Sequence, residues 1–501
     1  MQTVLYLGSS AAWLATHDTG RSAADGAVHL AVSTAEGATA TLSLVVEADV
    51  GRALRWITAR PVDLVVVDAR EGRGLDAASA LDALERIAPA RSSHGLHSRA
   101  RVLALVDESA TGARVAHGCG VRRLPAPLVV PTPEEVRRVI AELTVSRPTG
   151  KVAVCLAGGG IEGLLYEVGV LRAIDHFLLD RRLCDLDLFF GISAGSFIAA
   201  LLANGVAPDD IADGLRSGND RVPRIGRGDL FDPNLREMAS RALRLSRDIV
   251  GRGEARNPLS ALYRAIPTAF FAGDALRSYF ERVFARPGMS DDFDDLRRPL
   301  FIGATDQDTS EAVTFGEPGW TDVPIHRAIR ASCALMPFYT AEPIAGRYYV
   351  DGAFSRTTNM RTAVQHGATM CLLIDPLVPI RAESPGYVSR RGGFFAVTQG
   401  LKALINGRFD KAHATIMEMF PGVAFHLFRP EGDEMRVLSG SPMKFLYREE
   451  IEHLAYESTL RKLRAAMPRL QRDFARHSVR FGEAARVPGT DPYLDGVFAV
   501  S

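Results

Sequence analysis

The chain is short of lysine, of cysteine and of net charge. Only five of its 59 basic residues are Lys (151, 402, 411, 444 and 462), the bias that a G+C-rich genome produces. Basic and acidic residues balance at 59 each. That balance argues against a dedicated nucleic-acid binder, whose affinity rests on neutralising phosphates. The five cysteines (119, 155, 184, 333 and 371) form no C-x-x-C pair, which removes zinc ribbons and thioredoxin-like motifs. An odd, scattered set suits a reducing compartment, each thiol serving as a small buried hydrophobe. The N-terminal stretch MQTVLYLGSSAAWLATHD has no basic segment ahead of its apolar residues. A secretory signal is therefore not expected, and a cytoplasmic location is. One run, Leu188–Pro208, passes 21 residues without a charge. Its three Gly, two Ser and Asn fit a strand, a turn and a helix better than a membrane span.

What is present is a long, ordinary globular composition. The 501 residues are 47% apolar and 24% charged, enough for roughly two to four domains at about 100–200 residues each. Residues 1–145 alternate strand and helix patterns. Strands are expected at Thr3–Leu7, Leu42–Val46, Val62–Val67, Val102–Val106 and Val121–Leu124. Helices are expected at Val50–Ala59, Leu75–Ile87, Ser109–Gly118 and Pro133–Leu143. Such alternation predicts a doubly wound parallel sheet. Asp68 closes the apolar run in DLVVVDARE, and RRLPAPLV follows near residue 125. On those residues this part resembles a response-regulator receiver domain. The resemblance is degenerate, because Leu7-Gly8-Ser9-Ser10 stands where the magnesium-binding acids belong and Leu124 replaces the Lys before Pro125. A phosphoryl-transfer site needs such charges. Contacts or dimerisation are the roles left for it.

Residues 146–150, Ser-Arg-Pro-Thr-Gly, read as a linker. Three motifs follow. After the apolar strand Lys151–Leu156 comes Ala157-Gly158-Gly159-Gly160-Ile161-Glu162-Gly163, leading into a helical pattern over Leu164–Leu179. Consecutive glycines let backbone N–H groups converge, and a helix start adds unpaired donors and a positive dipole end. The loop can hold a phosphate or the oxyanion of an acyl transfer. Its spacing also matches a dinucleotide fingerprint, and a plain tight turn is the third reading. Next, Gly191-Ile192-Ser193-Ala194-Gly195 lies between apolar strand residues Leu188–Phe190 and an apolar helix Phe197–Ala203. This is the strand–turn–helix context of a nucleophile elbow, and a small-residue turn packed closely on the sheet is the other reading. The downstream histidines 326, 366, 413, 426, 453 and 477 sit in no short Gly-bounded loop after a strand. Finally, the strand Arg347–Val350 ends in Asp351-Gly352-Ala353. A carboxylate there can take the Ser proton if burial raises its pKa.

A glycine run, then G-x-S-x-G, then D-G-A is the order found in the patatin-like phospholipases, and residues from about 151 to 379 resemble that family. Phe301–Asp306 with Glu311–Phe315 looks like its central strand pair, and Arg327–Pro337 like its helix and turn before the Asp. The resemblance implies a three-layer α/β/α catalytic domain. It also implies an esterase that uses a Ser–Asp dyad without His. Ser193 would attack the ester carbonyl and form an acyl-enzyme. Asp351 would accept its proton and return one to the leaving alcohol. The N–H groups of Gly158, Gly159 and Gly160 would hold the oxyanion. Gly163 would let the helix approach, while Gly191, Gly195 and Gly352 complete the motifs. Neither a cofactor nor a metal is called for. The substrate would be a lipid or lysolipid ester. The family's acid before the glycine run and its Arg in G-G-G-x-R-G are here Ala157 and Glu162. An acid suits a helix N-terminus, but a Glu beside the oxyanion loop would repel a substrate phosphate. An acyltransferase shares the acyl-enzyme, and a non-catalytic interaction protein on the same fold is the alternative of another class.

The expected organisation is a receiver-like α/β domain at 1–145, the linker at 146–150, a catalytic domain at 151–384 and a mainly helical C-terminal extension at 385–501. Residues 221–256 hold nine Arg against five acids, and the apolar stretch Leu259–Ala272 follows. That segment, and Gly392–Asn406 with its two adjacent Phe, can rest on anionic lipid as a peripheral membrane contact. Packing on the core is the other reading. The extension, helical over Arg448–Met467, can wrap the catalytic domain or make a homo-oligomer contact.

Overall fold

Short apolar runs, many of them ended by a Gly, Asp or Ser, build two sheets from this chain. A computed structural model describes residues 3–14, 27–33, 39–59, 62–87, 101–122, 124, 126–144, 150–250, 264–356, 358–380, 382, 384–432, 434–435 and 448–483. The linker residues 146–149 and the apolar residues 259–263 lie outside that set. Two units divide the chain, one of residues 1–150, 174–185 and 462–501, the other of residues 151–173 and 186–461.

The first unit carries β1 (Thr3–Leu7), β2 (Ala27–Ser33), β3 (Thr39–Glu47), β4 (Leu64–Asp68), β5 (Arg101–Val106) and β6 (Leu128–Val129), in the order β2-β3-β1-β4-β5-β6. All neighbours are parallel except β2, which runs antiparallel to β3. Without β2 this is the 2-1-3-4-5 order of a doubly wound sheet. Its helices are α1 (Val50–Ala59), α2 (Ala77–Ile87), α3 (Ala110–Val121) and α4 (Pro133–Thr144). Period-2 alternation sends Leu5, Leu7, Val65 and Val67 to one core with α2 and α3, and Val4, Tyr6, Leu64 and Val66 to another with α4. Ser109 caps α3 by accepting the Gly112 N–H at 3.1 Å.

Strands β2 and β6 are not among those expected for this unit. Val121–Leu124 is no strand: Val121 ends α3 and is 64% exposed, while Leu124 turns inward. A four-residue apolar run does not distinguish a strand from a helix end.

Asp68 is fully buried at the end of β4. Arg70 closes over it with Nε at 2.9 Å and Nη2 at 2.7 Å, and the Tyr6 hydroxyl donates to the same carboxylate. The guanidinium in turn stacks on Trp13 at 3.8 Å. A carboxylate so enclosed presents no oxygen to a phosphodonor. Incubation with acetyl phosphate and magnesium is expected to leave Asp68 unmodified by intact-mass spectrometry, and a stoichiometric gain of one phosphoryl group there would contradict it.

The second unit holds an eight-stranded sheet. Its strands are β7 (Lys151–Leu156), β8 (Leu188–Ile192), β9 (Leu300–Asp306), β10 (Ala312–Phe315), β11 (Glu342–Ile344), β12 (Arg347–Asp351), β13 (Ala368–Ile374) and β14 (Ala424–Phe428). They run in the order β11-β12-β9-β8-β7-β13-β14, with β10 on β9. The five strands from β9 to β14 along that path are parallel, and the rest are antiparallel. Helices α5 (Gly160–His176), α6 (Ala194–Ala203), α7 (Pro208–Ser217), α8 (Arg227–Leu230), α9 (Leu235–Val250), α10 (Asp274–Phe284), α11 (Ile325–Ser332), α12 (Met360–Gln365) and α13 (Gly393–Met419) accompany it. Ala153, Cys155, Leu188, Phe190, Cys371 and Leu373 pack under α12 and α13. The alternate residues Val154, Leu156 and Phe189 are equally buried, and Leu156 meets α6 at Gly195. Helices thus cover both faces. The stretch after 385 is mostly helical, with α14 (Arg448–Ala465) and α15 (Met467–Ala475) at its end. It also supplies β14 to the sheet, paired with β13 from Met370 to Ile374. The charge-free run Leu188–Pro208 is strand, turn and helix, and no helix among the described residues is long and apolar enough to cross a membrane.

Candidate active site

Ser193 alone makes the turn between the end of β8 and the start of α6. Its φ is +54° and its ψ −130°, a conformation that side-chain-bearing residues avoid at a cost of about 1–3 kcal/mol. The neighbours hold it there. The Ser193 N–H donates to Ser332 Oγ at 2.8 Å, and that hydroxyl donates to the Gly303 carbonyl at 2.6 Å. Ser196 Oγ donates to the Ser193 carbonyl at 2.5 Å. The flanking glycines answer a lack of space. A Cβ on Gly191 would lie 2.4 Å from Ser196 Cα, and one on Gly195 2.6 Å from the Ala157 oxygen.

The glycine run passes directly over this turn. A Cβ on Gly158 would stand 2.8 Å from Ser193 Cβ, so only Gly lets the two approach. Gly159 and Gly163 meet in the first turn of α5, beside Pro376. The N–H groups of Gly158, Gly159 and Gly160 make no backbone hydrogen bond among the described residues. They stand ahead of a 17-residue helix whose dipole favours negative charge at that end.

Asp351 ends β12, opposite Ala304 of β9, and Gly352 begins the short helical turn after it. The side chain is fully buried. Oδ1 accepts the Ala353 N–H at 2.8 Å, and Oδ2 makes no hydrogen bond. Burial pushes its pKa up to about 7, against the smaller lowering effects of the Ala353 N–H and of the Ser193 hydroxyl, which is near the carboxylate but outside hydrogen-bonding geometry. The structure therefore brings Ser193, Asp351 and Gly158–Gly160 to one place from three separate parts of the chain.

Two cavities meet at Ser193. The first is lined by Leu164, Phe197, Leu230, Leu276, Phe280 and Phe338 among others, with no Asp, Glu, Lys, Arg or His. The second contains Ser193, Asp351 and Gly158–Gly160, and its far wall is Leu401, Lys402 and Ile405 of α13. None of the downstream histidines lines either cavity. His326 pairs with Asp291 at 2.5 Å and His366 with Glu317 at 2.9 Å. Glu162 is buried and lines neither cavity. The contribution of α13 went unread in the sequence beyond an amphipathic stretch, since i, i+3, i+4 spacing marks a buried face without saying what it faces.

Residues 154–364 match the family described as patatin-like phospholipase, and that stretch of the chain is a patatin-like phospholipase domain. Among solved structures, VipD from Legionella pneumophila is similar over 64% of this chain and 68% of its own, at 14% identity and a TM-score of 0.29. The type III effector protein ExoU, known also in a structure from Pseudomonas aeruginosa with SpcU, is similar over 64% of this chain. Its identity is 15% and its TM-score 0.25, and the match spans about half of ExoU, 54%. No curated protein sequence matches this one.

Proposed function

We propose that this protein is a serine lipid acyl hydrolase that cleaves carboxylic esters through a Ser193–Asp351 dyad. The observation that carries the reading is a fully buried carboxylate, raised to a pKa of about 7, beside a strained Ser at the meeting of two cavities. Asp351 removes the Ser193 proton as the hydroxyl attacks the ester carbonyl. The oxyanion forms against the N–H groups of Gly158–Gly160. Asp351 then gives the proton to the leaving oxygen, and water reverses the sequence on the acyl-enzyme. No metal or cofactor enters these steps.

Proton return assigns the two cavities. The leaving alcohol must stand where Asp351 can reach it, in the cavity that contains Asp351. The acyl chain then takes the other, whose lining carries no charge. Lys402 lines the alcohol side, and the alcohol proposed for that side is the head-group portion of a phospholipid or lysophospholipid. Peripheral membrane contact draws support from α9 and the segment after it. Leu235, Leu243, Ile266 and Phe270 are 67%, 54%, 57% and 48% exposed, and Arg236 and Arg244 are exposed beside them.

The test is product analysis with a fluorophosphonate probe alongside. The wild-type protein is expected to label at Ser193 and to release fatty acid from lysophosphatidylcholine faster than from monoacylglycerol. Adding a competing alcohol separates hydrolysis from acyl transfer. Neither labelling nor fatty-acid release from any lipid ester would leave a non-catalytic interaction protein as the better account.

A further inference from the structure

A third cavity, of about 460 Å³, lies behind the Asp351 turn. It is lined by Ser355, Arg356 and Thr358 from the chain after that turn, by Arg361 and Thr362 of α12, and by Arg408 of α13. Three arginines line it, and no Asp or Glu does. Arg356 donates to Thr314 Oγ1 at 2.9 Å and Thr362 Oγ1 at 3.2 Å, and Arg408 donates to the Phe354 carbonyl at 2.9 Å. No carboxylate pairs with any of the three among the described residues. Burial lowers the Arg356 pKa, and Glu317 is the acid that counters it. Thr358 Oγ1 is buried in the same wall and has no hydrogen-bond partner. A half-buried guanidinium beside an orphaned buried hydroxyl leaves donors that an anion would satisfy, with the exposed Arg361 and Arg408 able to add to its binding. Planar guanidinium forks and hydroxyl donors suit phosphate oxygens, and the volume exceeds what one phosphate fills.

We infer that this cavity binds a phosphate-bearing ligand and that its occupation fixes α13 against the Asp351 turn. Arg356 belongs to that turn, its N–H donating to the Gly352 carbonyl at 2.8 Å. Ser355 Oγ lies 2.8 Å from Thr305 Oγ1, which donates to the Asp351 carbonyl at 3.0 Å. Arg408 follows Ile405 by one turn of α13, and Ile405 and Lys402 line the alcohol-side cavity. A phosphate held by Arg356 and Arg408 therefore ties together two walls of the catalytic cleft. The binding is independent of the proposed activity; the effect on rate rests on it.

Calorimetry of the full chain with inorganic pyrophosphate, in phosphate-free buffer, tests the binding directly. Flotation with phosphatidylcholine vesicles, with and without phosphatidic acid, tests a lipid source for the same group. The expected result is one-to-one binding of pyrophosphate or selective capture by phosphatidic acid vesicles, weakened at least 10-fold in Arg361→Gln and in Arg408→Gln. Both side chains are exposed, so both variants should fold, and circular dichroism checks that. Pyrophosphate alone binding identifies a soluble ligand, and vesicles alone a headgroup. No binding in either arm, or binding undiminished in both variants, overturns the site. Binding that leaves the wild-type esterase rate unchanged overturns the tie to Asp351 while the site stands.

Discussion

Asp351→Asn is expected to lower ester hydrolysis by at least about 10²–10⁴-fold, the usual loss of a positioned general base, and to make the protein more stable at pH 8. Both effects come from one buried carboxyl. Its pKa is about 7 in the folded protein, against an ordinary 3.8. Between those pH values the folded state holds a proton that the unfolded state has released. The contribution of this group to stability therefore falls as pH rises through the window, and above about pH 7 the full cost of a buried charge, of order a few kcal/mol, is in place. Asn carries no such charge. Wild type and variant should be similarly stable near pH 4 and diverge as pH rises towards 8, as read by urea denaturation. The wild-type rate should rise with pH through a single ionisation near 7. An active variant would remove Asp351 from the mechanism, and a stability gap that does not widen with pH would show that burial does not raise its pKa. His326→Gln, which touches neither cavity at Ser193, should cost little activity.

Ser193→Ala should abolish both hydrolysis and fluorophosphonate labelling, a loss above about 10⁴-fold, because no acyl-enzyme can form. The fold should survive. The Ser193 side chain caps nothing in α6, and its N–H and carbonyl make the bonds that hold the turn. Ser193→Gly should be as inactive yet more stable by about 1 kcal/mol, since Gly adopts a φ of +54° without the strain. Equal thermal melts for the Ser, Ala and Gly proteins would show that the turn stores no strain. Labelling retained in the Ala variant would place the nucleophile elsewhere.

Much of the candidate site was legible because its motifs are local. A glycine run after a strand, a Ser between small residues at a strand–helix turn and an Asp closing a strand each follow from neighbours within about five positions. The elements carrying them, β7, β8, α6 and β12, could be placed from periodicity and Gly punctuation alone. In the first unit the same reading found β1, β3, β4, β5 and four helices. It missed β2, whose pairing with β3 depends on a partner, and placed the last strand at Val121–Leu124 instead of at the two residues of β6, a run too short to carry a period.

What the amino-acid sequence determined by itself is the chemistry available and its order along the chain. Tertiary structure decided what those groups meet. That Asp351 titrates near neutrality depends on how completely β9, β12 and the Ser193 turn exclude water from it. That Glu162 is buried yet lines neither cavity at Ser193 depends on how α5 packs. β14 reaches the sheet, α13 walls the cleft, and Arg356, Arg361 and Arg408 gather around one cavity through contacts spanning tens of residues. Periodicity along the chain cannot report these, because burial, field and register are set by whichever distant segment packs alongside.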